Sequence, residues 1–175
     1  GLGCMHATLS KGATSIIFQN TINLKNILID MKEKKATGFV GVPIIFRSFL
    51  ENYKEDFFSC NNNLRYMLTN SAPMPKKLAL QLLEIFPKTQ IYTYYGLTEA
   101  SRSTFLRYND DIDKIESVGR HANGVEIKIV DEDGKKLLFL NKGEIMIRGQ
   151  NVIEQYWNNP KLDTNIVDGW LKTGD

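Results

Sequence analysis

Apolar residues recur along this chain with two different periods, and the change from one to the other divides it. Leu24, Ile27, Leu28 and Met31 fall at i, i+3, i+4 and i+7, the spacing of one helical face. Asn23 stands just ahead of them as a suitable N-cap. Ala13 to Phe18 predicts a short buried strand, and Thr37 to Val42 a second. Pro43 then suits the first turn of a helix running to about Glu51. After the Asn61–Asn63 loop, Leu64 to Leu68 predicts a third strand. Pro75 opens a further helix with Leu78, Leu82, Ile85 and Phe86 on one face, and Pro87 stops it. Gln90 to Tyr94 predicts the fourth strand. Strand and helix alternate through this half, so its natural packing is a mostly parallel sheet flanked by helices.

After about residue 108 the period shortens to two. Val125, Ile127 and Ile129 alternate with Glu126 and Lys128, the pattern of a half-buried strand. Asp131 to Gly134 supplies a turn. Lys135 to Leu140, Gly143 to Arg148 and Trp170 to Thr173 predict further short strands. The expected architecture is therefore α/β over residues 1–108, then a small antiparallel, barrel-like β subdomain over 109–175. The polar segment Asn109 to Asp113 marks the boundary.

Composition narrows the function. The 175 residues are 42% hydrophobic, with 22 basic and 20 acidic side chains and a net charge of +2. Such a balance suits a globular core and does not describe an electrostatic nucleic-acid binder. The densest charge run, Lys32 to Lys35, closes a predicted helix, where it complements the dipole. No apolar run has the length of a membrane span. Cys4 and Cys60 are isolated, as are His6 and His121, so neither a disulfide framework nor a metal cluster is implied. A reducing, cytoplasmic setting is the default expectation. The chain opens inside an apparently structured segment and stops directly after an aromatic, strand-like run; it is expected to be a fragment of a longer protein.

Chemistry concentrates at Tyr92-Thr-Tyr-Tyr-Gly-Leu-Thr-Glu99. A β-prone run ends in a glycine, followed by a hydroxyl and a carboxylate. Ligands of α/β sheets bind beyond the carboxyl ends of strands. There Tyr95 can stack on a flat base, Thr98 can donate to a phosphate oxygen, and Glu99 can help hold Mg²⁺. The alternative is an ordinary strand–turn–helix, with Thr98 and Glu99 as a cap and a favourable first-turn charge.

Four stretches in order extend the pattern: Thr69-Asn-Ser-Ala-Pro73, Tyr95-Gly-Leu-Thr-Glu99, Gly143 to Gly149 with Tyr156-Trp-Asn158, and Gly169 to Asp175. Together they resemble the adenylate-forming superfamily of acyl-CoA synthetases, luciferases and peptide-synthetase adenylation domains. The resemblance implies that ATP activates a carboxylic acid to an acyl-adenylate, which a thiol then takes up. That thiol belongs to coenzyme A or to the phosphopantetheine arm of a carrier protein; a non-catalytic nucleotide-binding module is the remaining alternative. By the same resemblance, Ser71, Ala72, Pro73, Tyr94, Tyr95, Gly96, Thr98 and Asp175 bind the nucleotide. Asp175 takes the ribose hydroxyls, Thr98 and Glu99 are catalytic, and Glu99 associates with magnesium. Leu2, His6 and Ser103 fall where the family lines its acyl pocket. The family's phosphate loop would precede Gly1, and its lysine-bearing domain would follow Asp175, so this stretch alone is expected to be inactive. The chain departs from the family at Asn70 and Ser71, where glycines are common, and at His121, Asn123 and Gln155.

Overall fold

The computed structural model describes residues 2–18, 23–110, 112–138, 141–158 and 165–175. The chain forms two compact units, Gly1–Tyr92 and Thr93–Asp175. The first carries α1 (Leu2–Ser10), α2 (Leu24–Glu33), β1 (Gly38–Gly41), α3 (Pro43–Asn52), α4 (Lys54–Phe58), β2 (Tyr66–Thr69) and α5 (Lys76–Ile85). The Asn23 side chain caps α2 by accepting from the Asn26 amide at 3.2 Å. Ile27, Leu28 and Met31 are buried on the predicted face. Pro43 occupies the first turn of α3, where its missing N–H leaves nothing unpaired. β1 and β2 pair in parallel, Gly38 opposite Tyr66 and Gly41 opposite Thr69.

A chain of aromatic rings fills this unit's core. Phe39 meets Phe46 edge-on at 5.6 Å, Phe49 meets Phe57 at 4.9 Å, and Phe57 meets Phe86 at 4.6 Å. Such pairs add roughly 0.5–1.5 kcal/mol each beyond the area they bury. The strand expected over Ala13 to Phe18 does not form, and Ile17 is 74% exposed. A short apolar run has no period that distinguishes a strand from coil.

β3 (Gln90–Tyr95) begins in the first unit and ends in the second. β4 (Thr104–Arg107) and β5 (Arg120–His121) follow, paired antiparallel with Thr104 opposite His121. The first sheet has the order β1-β2-β3-β4-β5. A second sheet holds β6 (Val125–Val130), β7 (Glu144–Gly149), β8 (Ile166–Val167) and β9 (Trp170–Lys172), in the antiparallel order β6-β7-β9-β8. This sheet is open, which corrects the barrel-like expectation. β6 and β7 pair over six residues but β8 and β9 over only two, too little strand to curl round and close. Of the strand expected over Lys135 to Leu140, one bridge forms, between Lys136 and Val130; residues 139 and 140 lie outside the described residues.

Alternation along β6 sorts the second sheet's two faces. Val125, Ile147 and Leu171 pack with Ala100 into the core, and Ile127, Ile145 and Tyr95 lie against that cluster. On the other side, Arg148 donates to both carboxylate oxygens of Glu126, at 3.0 and 2.8 Å. Its guanidinium lies 4.5 Å from the Trp170 ring centre, and the Lys128 ammonium 4.4 Å from it. The β8–β9 hairpin turns through Asp168 and Gly169, with φ of 50° and 77°. A two-residue type I′ turn needs positive φ at both positions, which is why Asp-Gly stands there. This turn sends β9 back along β7 and carries the chain to Asp175.

Candidate functional site

The turn after β3 closes on itself. The Leu97 amide donates to the Ala100 carbonyl at 3.0 Å, and the Ser103 amide to the Tyr95 carbonyl at 2.8 Å. Arg102 takes φ 55° to make the return. Gly96 sits at the tightest point: a Cβ there would lie 2.4 Å from the Arg102 nitrogen and 2.8 Å from the Ala100 oxygen. After Glu99 comes a bridge from Ala100 to Val152, and then β4. No helix follows, so Thr98 and Glu99 are not a helix cap and its first-turn charge.

Two distant stretches reach this turn. The Tyr95 hydroxyl donates to Asp175 Oδ2 at 2.6 Å, across 80 residues of sequence. Asp175 is fixed by its own backbone: the Ile145 amide donates to its carbonyl at 3.0 Å, and its amide donates to Thr173 Oγ1 at 3.2 Å. Each carboxylate oxygen has two acceptor sites, so Asp175 can keep Tyr95 and still accept from a vicinal diol. The second partner is Tyr156, whose hydroxyl donates to Glu99 Oε1. Tyr156 lies in one of the four motifs, but its role is not legible in the sequence, because nothing in its spacing points to a residue 57 positions earlier.

Thr98 is exposed and Glu99 half-buried. Among the described residues, no three His, Cys, Asp or Glu side chains gather where they could cage a metal ion. A lone carboxylate beside an exposed hydroxyl is instead the donor set magnesium uses when substrate phosphates supply most of its ligands. The residues present fit that ion.

The remaining predicted residues fall as follows. Tyr94 is half-buried, its ring 5.8 Å from that of Phe105, with the Arg102 guanidinium 5.9 Å from its centre. Ser103 is fully buried; its hydroxyl donates to the Ala100 carbonyl at 3.0 Å and accepts from Asn151 Nδ2 at 2.9 Å. Ser71, Ala72 and Pro73 are exposed residues of the first unit. Ser71 takes φ 69°, the left-handed region where a side chain is strained, and this explains why glycine suits its position. His6 is exposed on α1 in the same unit, and the side chain of Leu2 lies outside the described residues.

Burial, and then the bond to Asp175, push the Tyr95 phenol from 10.0 up to about 12. The folded chain thus holds this proton more tightly than the unfolded chain does. Its stabilising contribution is complete below pH 10 and is lost as pH rises through about 12. Tyr95→Phe should remove that loss. The phenols of Tyr108 and Tyr156 are also raised, so the informative quantity is the difference in unfolding midpoint between wild type and variant. It should shrink above pH 10; a difference independent of pH would contradict the assignment.

A family model described as AMP-binding enzyme matches residues 1–157. An acyl-CoA ligase, sidI of Aspergillus fumigatus, is 34% identical over 179 residues, covering 98% of this chain and 30% of the relative. The 2-succinylbenzoate–CoA ligase of Enterococcus faecalis is 32% identical over 163 residues, covering 92% of this chain and 33% of the relative. Among solved structures, O-succinylbenzoate coenzyme A synthetase (MenE) from Bacillus subtilis in complex with AMP superposes with a TM-score of 0.86 at 28% identity, covering 100% of this chain and 35% of that one. The same synthetase in complex with ATP and magnesium ion gives 0.84 at 27% identity, with 100% and 36% coverage. The chain therefore spans about a third of the length of the relatives it matches.

Proposed function

The chain belongs to the AMP-binding enzyme family, and from that premise we propose that it is part of an AMP-forming ligase joining a carboxylic acid to coenzyme A through an acyl-adenylate. The observation that carries the reading is the arrival of Asp175 at Tyr95, one turn away from Thr98 and Glu99. Between them these residues offer what a nucleoside triphosphate needs: a diol acceptor, an aromatic face, a phosphate donor and a metal-binding carboxylate.

The roles follow from the chemistry of each side chain. The half-buried Tyr95 ring presents a face to adenine, with Tyr94 and Gly96 shaping the strand end beside it. Asp175 accepts from the ribose hydroxyls in charge-assisted hydrogen bonds. The Thr98 hydroxyl donates to a phosphate oxygen as charge develops there, a contribution that is large when the donor is already in place. Glu99 would hold magnesium, which supplies Lewis-acid stabilisation when bound. The acid's carboxylate attacks the α-phosphorus of ATP, the bond to the β-phosphate oxygen breaks, and pyrophosphate leaves. The acyl group then passes to the thiol and AMP leaves. Ser71, Ala72 and Pro73 are assigned to the nucleotide, and Leu2, His6 and Ser103 to the acyl group. Relatives named as CoA ligases support coenzyme A over a carrier protein as acceptor.

The test is ATP–pyrophosphate exchange by the intact protein across a panel of aliphatic and aromatic carboxylic acids. Exchange should depend on one class of acid, and added coenzyme A should convert that acid to its thioester. Nucleotide binding without exchange for any acid would leave only a non-catalytic nucleotide-binding module.

A further inference from the structure

We infer that Tyr156 is the positioning residue of Glu99, and that residues 151–156 form a splint holding the Gly96–Ser103 turn in its working shape. The inference rests on the ligase reading above. Glu99 is held from this one segment at two points. Its backbone carbonyl accepts from the Ile153 amide at 2.9 Å, and its carboxylate accepts the Tyr156 hydroxyl at Oε1. Next to them, Ala100 bridges Val152 antiparallel. Asn151 Nδ2 donates to the Ser101 carbonyl at 3.1 Å and to Ser103 Oγ at 2.9 Å. The splint thus grips four of the five residues from Glu99 to Ser103.

A free glutamate side chain samples several rotamers, and ordering it is costly in entropy. Binding Oε1 fixes the plane of the carboxylate and leaves Oε2 to present. A phenol suits this task because it is neutral. A lysine or arginine would orient the carboxylate equally well but cancel the charge that draws a cation. Tyr156 is itself half-buried, so its ring is anchored while its hydroxyl reaches Glu99. Orientation completed before the ligand arrives is the kind of preorganisation that makes a charged group effective.

The experiment measures magnesium-dependent ATP binding by calorimetry on the intact protein, in wild type, Tyr156→Phe, Glu99→Gln and the double variant. Thermal unfolding without metal is recorded for each. Tyr156→Phe keeps the ring and removes only the donor. It should raise the magnesium concentration for half-maximal binding roughly tenfold, the scale of a hydrogen bond to a charged group, while the metal-free unfolding temperature stays at the wild-type value. In the Glu99→Gln background the same change should do nothing further, because the group it acts through is gone. An equal shift in both backgrounds would overturn the inference. So would a lowered unfolding temperature with an unaltered magnesium titration, since Tyr156 would then be a structural residue alone. If Glu99→Gln shifts the titration and Tyr156→Phe does not, the positioning role fails and the ligase reading stands. If Glu99→Gln shifts nothing, the metal assignment of that reading fails, and this inference with it.

Discussion

Gly96→Ala should abolish nucleotide binding while most of the protein stays folded. The added methyl would sit 2.4 Å from the Arg102 nitrogen, 2.8 Å from the Ala100 oxygen and 3.2 Å from the Ser101 carbonyl carbon. All three obstacles are backbone, so no rotamer change relieves them. The loop must open, and the bonds Leu97 to Ala100 and Ser103 to Tyr95 are the ones that would give. Overpacking of this kind typically costs about 1–3 kcal/mol of stability. The consequence for function is larger, because Thr98 and Glu99 ride on the displaced segment. Circular dichroism should show retained secondary structure with a lowered unfolding midpoint, and nucleotide titration should show no saturable binding. A variant that binds ATP with wild-type affinity would mean the turn is not part of the site.

Asp175→Ala should weaken ATP binding about ten- to a hundredfold, the loss of roughly 1.5–3 kcal/mol for a hydrogen bond to a charged group. The fold should survive, since the residue is anchored through its main chain to Ile145 and Thr173, and alanine keeps both bonds. What separates a ribose role from a general electrostatic one is the comparison of ATP with its 2′,3′-dideoxy analogue. Wild type should prefer ATP strongly, and Asp175→Ala should bind the two alike. If the variant keeps the wild-type preference, some other group holds the ribose.

The helices and strands most legible in the sequence are those with a strong period or a proline at the edge. α2 shows its face in Ile27, Leu28 and Met31, and α3 and α5 begin at or just after Pro43 and Pro75. β4 and α4 were not anticipated: Thr104 to Arg107 is four residues long and Lys54 to Phe58 five, too short for a period to emerge. That the second sheet stays open was also beyond the sequence, because strand alternation fixes the faces of a sheet and says nothing of its edges. At the site, the residue types at 95–99 were legible and their partners were not. The sequence presents Tyr95 as a ring that can stack on a flat base. The structure shows a half-buried ring that lies against the Ala100–Val125–Ile147–Leu171 cluster and sends its hydroxyl to Asp175. Truncating it would therefore cost packing as well as any stacking, and cannot by itself separate the two.

The bond between Tyr95 and Asp175 spans 80 residues, and that span has a kinetic meaning. A contact so remote in sequence gains nothing until the intervening loop has closed, so its entropy cost falls early and its reward late. The aromatic core of the first unit is built largely from neighbouring helices and can condense first. The Asp175 carboxylate arrives only when the Asp168–Gly169 hairpin has turned β9 onto β7. Until then the Tyr95 hydroxyl lacks its carboxylate partner. In such a molecule the competence to bind ligand matures after the competence to collapse, and an intermediate can have a native core and an unfinished site.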